Sequence, residues 1–149
     1  AHRPGAMTPL DTTQPVEILA SRVLLHPRDF DRSLVFYRDV LGLHPMREFG
    51  RGAGRGIVFF LGGGFLELVG QSGEGPSGAT ELWLQVRDVA AEEKRLDAAG
   101  VTIVESAVKK PWGLVELRVQ DPDGLGLVLV EIPPEHPLRR DARSLPATE

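Results

Sequence analysis

The chain has 149 residues, a net charge of −4 and no cysteine, which allows a sizeable core and excludes disulfides, thiolate metal sites and a thiol nucleophile. Its charges alternate in sign without a basic stripe, and no apolar run approaches the ~20 residues that span a bilayer, so neither nucleic acid nor membrane is an expected partner. The N-terminus lacks a signal-peptide pattern, and the cytoplasm is the expected location.

In chain order, residues 1–15 are Pro- and Thr-rich without periodicity and are expected to form a flexible arm. Val16–His26 alternates as a strand, with Val23 and Leu25 on one face and Arg22, Leu24 and His26 on the other. Asp29 or Asp31 can cap a helix on which Phe30, Leu34, Tyr37 and Leu41 form one stripe, and Gly42 suits its left-handed exit. Strands are predicted over 43–49, 56–61 and 65–69, with the intervening glycines at 50–54 and 62–64 marking turns. A phosphate-cradling loop at 50–55 is the rival reading, but no strand leads through it into a helix. The Gly-, Ser- and Pro-bearing stretch 71–78 suits a linker. Beyond it the order repeats: a strand over 79–86, a helix over 89–99, and strands over 101–108, 114–119 and 126–132. Asp121-Pro122-Asp123-Gly124 makes a turn before the last strand, and residues 133–149 are expected to be a loose tail.

The repeat is the organising feature. Arg28-Asp29 and Arg87-Asp88 lie 59 residues apart, and Gly42 and Gly100 lie 58 apart. That periodicity predicts an α+β fold of two βαβββ modules, 16–70 and 79–132, within one domain spanning 16–132. The modules are expected to pair about a pseudo-twofold, forming a concave mixed sheet with helices on its outer face.

Strand alternation assigns residues to the face away from the helices. In Phe65-Leu66-Glu67-Leu68-Val69 the leucines belong to the core, leaving Phe65, Glu67 and Val69 on the opposite face; the same logic places Glu81, Trp83 and Gln85 there, with Arg22, Leu24 and His26. An apolar rim around several ionisable groups is the composition of a small-molecule cleft, although a wet sheet face reads similarly. His2, His44 and His136 stand in tails or loops with no second histidine at ligand spacing, and read as surface residues.

Two stretches carry a family resemblance. Asp29-Phe30-Asp31-Arg32-Ser33-Leu34 through Val40-Leu41-Gly42-Leu43, and Pro111-Trp112-Gly113 with Asp121-Pro122-Asp123-Gly124, resemble the two module signatures of the vicinal oxygen chelate superfamily. That group includes glyoxalase I, bleomycin resistance proteins and extradiol dioxygenases. In its metal-dependent members four positions on the concave face ligate a divalent ion, and those positions match Arg22, Glu67, Glu81 and Val128 here. Glu67 and Glu81 can ligate, whereas Arg22 and Val128 cannot. The resemblance therefore implies a cleft lined by Arg22, Leu24, His26, Phe65, Glu67, Glu81, Trp83, Gln85 and Val128, with no cofactor and no complete metal site; any metal would have to be held by Glu67, Glu81 and His26.

The expected function is binding of a small molecule, as in bleomycin-resistance-like members. Two alternatives stay open: a metal-dependent lyase, isomerase or dioxygenase of the same superfamily, and a metal-free acid-base enzyme using Glu67 or Glu81. The resemblance also implies a homodimer.

Overall fold

In the computed structural model the described residues are 15–138. Of the predicted arm (1–15) and tail (133–149), residues 1–14 and 139–149 lie outside them. Eight strands and two helices follow in the repeated βαβββ order. The first module comprises β1 (Arg22–Leu25), α1 (Phe30–Leu34), β2 (Pro45–Phe49), β3 (Gly56–Leu61) and β4 (Gly64–Val69); the second comprises β5 (Glu81–Gln85), α2 (Val89–Ala98), β6 (Thr102–Lys109), β7 (Val115–Gln120) and β8 (Gly126–Glu131). The strands form two four-stranded sheets, ordered β1-β4-β3-β2 (sheet 1) and β5-β8-β7-β6 (sheet 2), in each of which the first pair is parallel and the rest antiparallel. The strands thus fall into two mixed sheets, and no strand ladder joins them among the described residues.

Both helices start for the same reason. Asp29 and Asp88 take extended backbone angles and accept from the amides of Arg32 and Ala91, satisfying donors that a helix start leaves free. Gly42 and Gly100, at φ +89° and +84°, provide the left-handed exits. The helices then diverge. After five residues α1 widens into a π-helical stretch, Val35–Val40, with Leu41 N–H donating to Phe36 O at 2.7 Å. Within it Phe36 and Tyr37 are both buried, their rings edge to face at 4.9 Å.

The predicted first strand shortens to four residues. Phe65 N–H still donates to Ser21 O, but β4 begins only at Gly64, after the tight turn at Gly62-Gly63, so residues before Ser21 have no neighbouring strand. Val16, Ile18 and Leu19 are accordingly exposed. The glycines at 50–54 form a turn containing a short 3-10 segment, and a side chain at Gly50 would collide with Gly54 O.

One continuous core joins the modules. Leu66 and Leu68 of sheet 1, Leu127 and Leu129 of sheet 2, and Phe30, Tyr37, Val89 and Leu96 of the helices all belong to it. Polar clasps fix the two modules against each other. The buried Tyr37 hydroxyl donates to Asp121 Oδ2 at 2.6 Å, Arg32 pairs with Asp123 at 2.9 Å, and Arg95 donates to the carbonyls of Val40 and Leu41 at the end of the π-helical stretch. Asp121 does more than hold Tyr37: its other oxygen accepts from the amides of Asp123 and Leu125, shaping the β7–β8 turn. The linker packs along this seam, with Ser72 N–H donating to Pro27 O at 2.8 Å.

Candidate functional site

Each sheet turns one row of alternating side chains to the shared core and carries a second face away from it, which on sheet 2 includes a small buried cluster of its own, Leu114, Val128, Val130 and Ile132. On sheet 1, β1 and β4 run in parallel with Leu24 opposite Glu67, so Arg22 reaches Glu67 along the diagonal. Arg22 Nη1 donates to Glu67 Oε1 at 2.7 Å, and the carboxylate is the better shielded partner, 13% exposed against 40%. The Arg22 guanidinium also lies 5.8 Å from the centroid of Phe65, which continues through Phe60 to His44 as a row of rings. Phe60 is 46% exposed, so much of that row faces solvent.

Sheet 2 carries a longer network. Across β5, β8 and β7 the register sets Trp83 opposite Val128 and Val128 opposite Arg118. Arg118 donates from Nε to Glu81 at 3.1 Å and from Nη1 to Glu116 at 3.0 Å, while the indole N–H of Trp112 donates to the other oxygen of Glu116 at 2.7 Å. The hydrogen bond to Glu81, with that to Glu116, raises the guanidinium pKa further above its ordinary value against an opposing desolvation. Lys110 and Glu105 extend the chain of charges toward β6 at 2.9 Å, and the Lys110 hydrogen bond lowers the pKa of Glu105. Glu116 is buried, whereas Trp83 and Trp112 are about half exposed.

The residues expected in one cleft occupy several places. Arg22, Leu24, Phe65 and Glu67 share the open face of sheet 1; Glu81 and Trp83 share that of sheet 2, with Val128 buried between its neighbours. Trp83 and Gln85 also line a cavity of about 690 Å³ bounded by the end of β3 and the β3–β4 turn of the other module, including Phe60 and Gly62. His26 stands apart, its Nδ1 3.2 Å from Val69 O, and lines a smaller cavity of about 210 Å³ beside the linker and the β7–β8 turn. Glu67 and Glu81 are each held by a different arginine. Among the described residues no group of three or more His, Cys, Asp or Glu side chains is gathered as a metal would require.

Sequence reasoning did not single out Arg118 and Glu116. Their alternation with Val115, Leu117 and Val119 carries the signal, since it assigns them to the same face as Glu81 once β7 is placed two strands from β5. His136, read as a surface residue, is hydrogen-bonded to Trp112 O at 3.0 Å. Glu131 faces away from the site and accepts from Val89 N–H at the start of α2.

Comparison with known proteins agrees with this architecture. The sequence model of the Glyoxalase/Bleomycin resistance protein/Dioxygenase superfamily matches residues 20–129. No curated protein matches the sequence. Among solved structures, a member of that superfamily from Sphaerobacter thermophilus is 23% identical, with 77% of this chain and 98% of that one aligned at a TM-score of 0.64. TnmS3, an antibiotic binding protein from Streptomyces sp. CB03234, is 23% identical over 80% of this chain and all of its own, at 0.67. TioX from Micromonospora sp. ML1 is 26% identical over 75% and 97%, at 0.63. With two capped βαβββ modules, eight strands in matching order and a family match covering most of both, this chain belongs to the glyoxalase/bleomycin resistance protein/dioxygenase superfamily.

Proposed function

We propose that this protein binds a small organic molecule on the open faces of its two sheets and holds it without transforming it. The observation that carries the reading is the pairing of both candidate carboxylates with arginines, Glu67 with Arg22 and Glu81 with Arg118, beside half-exposed aromatic rings. Aromatic surfaces supply contact area at small entropic cost, and the fixed charges orient a polar ligand. The reading is also supported by a fold neighbour that is itself described as an antibiotic binding protein.

The donor set does not fit the divalent ion found in metal-dependent members. Arg22 and Val128 stand at two of the four positions, and a catalytic centre needs about three protein ligands. Substituting His26 is disfavoured by its contact with Val69 O and its place at the other cavity. Acid-base catalysis by Glu67 or Glu81 would require a carboxylate that already accepts from an arginine to take a substrate proton as well.

We infer further that the working form is a homodimer in a reducing cytoplasm. β1 and β5 are edge strands, and Leu24, Phe60, Trp83 and Trp112 are 46–57% exposed, so a second copy has both open edges and apolar surface to cover. Light scattering at micromolar concentration should give twice the chain mass. Native mass spectrometry of the purified protein tests the central claim: a retained organic mass, without bound transition metal by elemental analysis, is the expected result. Stoichiometric metal, or turnover of a bound compound, would replace this reading with the enzymatic one.

A further inference from the structure

The residues following β8 form a turn, with His136 N–H donating to Pro133 O at 3.0 Å, and that turn returns to the β6–β7 connection. The ring of His136 makes two hydrogen bonds there. Leu138 N–H donates to Nδ1 at 3.0 Å, so Nδ1 is the acceptor and the ring proton sits on Nε2, which donates to Trp112 O at 3.0 Å. Gly113 makes the approach possible: at φ +95° it adopts a conformation that side chains disfavour, and a Cβ there would lie only 3.0 Å from His136 Cδ2. The 110–114 turn is closed on its other side by Lys110 N–H to Leu114 O and Gly113 N–H to Lys110 O, both at 2.8 Å.

These contacts bear on the binding face through one side chain. Trp112 is held by its backbone carbonyl from one side and by its indole N–H, bonded to Glu116, from the other. Glu116 is in turn fixed by Arg118, which reaches Glu81 on the edge strand. Trp112 is 57% exposed, so packing restrains it less than it would a buried side chain, and these two hydrogen bonds bear directly on its position.

We propose that His136 is a positioning residue. It clips the C-terminal turn to Trp112 O and thereby orients the Trp112 indole over the open face of sheet 2 for an aromatic ligand. This rests on reading that face as the binding site. The consequence is that ligand affinity depends on a histidine outside both modules' strands.

The chain has two tryptophans, so in a Trp83→Phe background Trp112 reports alone. Acrylamide quenching and anisotropy of that indole, measured without ligand well below the melting temperature, are compared for His136, His136→Ala and His136→Gln. Glutamine carries an amide N–H at about the reach of Nε2 and retains the bond to Trp112 O. Expected are a quenching constant about twofold higher and a lower anisotropy in His136→Ala, both restored by His136→Gln. In protein that keeps Trp83, affinity for the aromatic dye 8-anilinonaphthalene-1-sulfonate should fall about fivefold in His136→Ala, on the scale of one lost hydrogen bond. Unchanged quenching in His136→Ala overturns the clip; raised quenching with unchanged dye affinity overturns its role in binding. Trp112→Ala separates the two premises. If dye affinity survives Trp112→Ala, the reading of sheet 2 as the binding face has failed, while the quenching result still decides whether His136 holds the turn.

Discussion

The two modules share a backbone and differ in where they carry charge. Caps at Asp29 and Asp88, exit glycines at 42 and 100, and matching strand orders make them structural copies. At equivalent places on their open faces, however, the first module has Arg22 on its edge strand, Glu67 on the next and Val58 on the third, whereas the second has Glu81, Val128 and Arg118. The cation and anion have changed strands. In the first module the result is a single diagonal ion pair; in the second, Arg118 bridges Glu81 to a buried Glu116 and onward to Trp112. A repeated fold thus constrains the chain through turns and core positions, leaving outward positions free to take different chemistry.

The comparison is most sharply tested by removing each module's cation. Arg118→Ala leaves Glu116 buried without its counter-charge and should destabilise by about 3 kcal/mol in a urea titration, the scale of a broken buried pair. Adding Glu116→Gln should recover part of that loss. A near-neutral Arg118→Ala would show that Trp112 alone satisfies Glu116.

Tyr37→Phe tests the clasp between the modules and should cost about 2 kcal/mol, the range for a hydrogen bond to a charged acceptor. Burial, reinforced by Asp121, raises the phenol pKa above its ordinary value near 10. The group therefore contributes its full stability below pH 10 and loses it as pH rises above that value. Wild-type stability should decline in alkali, and Tyr37→Phe should flatten that decline.

The smaller effects belong to the first module. Because the Arg22 side chain is 40% exposed and Glu67 13%, Arg22→Ala should cost about 1 kcal/mol, well below Arg118→Ala, with Glu67→Gln restoring part of it. Equal costs for the two arginines would erase the distinction between the modules. Smallest of all, Mn²⁺, Ni²⁺, Zn²⁺ and Fe²⁺ should leave the melting temperature unchanged, since only a ligand that favours the folded state raises it. A chelator-reversible rise lost in Glu67→Gln would show that the carboxylates can exchange their arginines for a metal.

What the sequence by itself determined is the local grammar of each module. Helix caps depend on one side chain and an amide three residues on, turns on glycine's backbone freedom, and strand faces on an alternation of two, so the cap narrows to Asp29 or Asp31, the exit falls at Gly42, and Glu67 and Trp83 take their strand faces from the sequence alone. Even there, Phe36 is buried beside the stripe residue Tyr37, in a π-helical stretch that the stripe does not announce. Tertiary structure decided the partners. Glu81 pairs with Arg118 across two intervening ladders, and Tyr37 with Asp121 84 residues away, because strand order and module docking set those distances. It also divided the eight strands into two sheets and brought His136 back to Trp112. These are long-range choices made by packing one core between two modules, and no residue pattern within either module encodes where the other will lie.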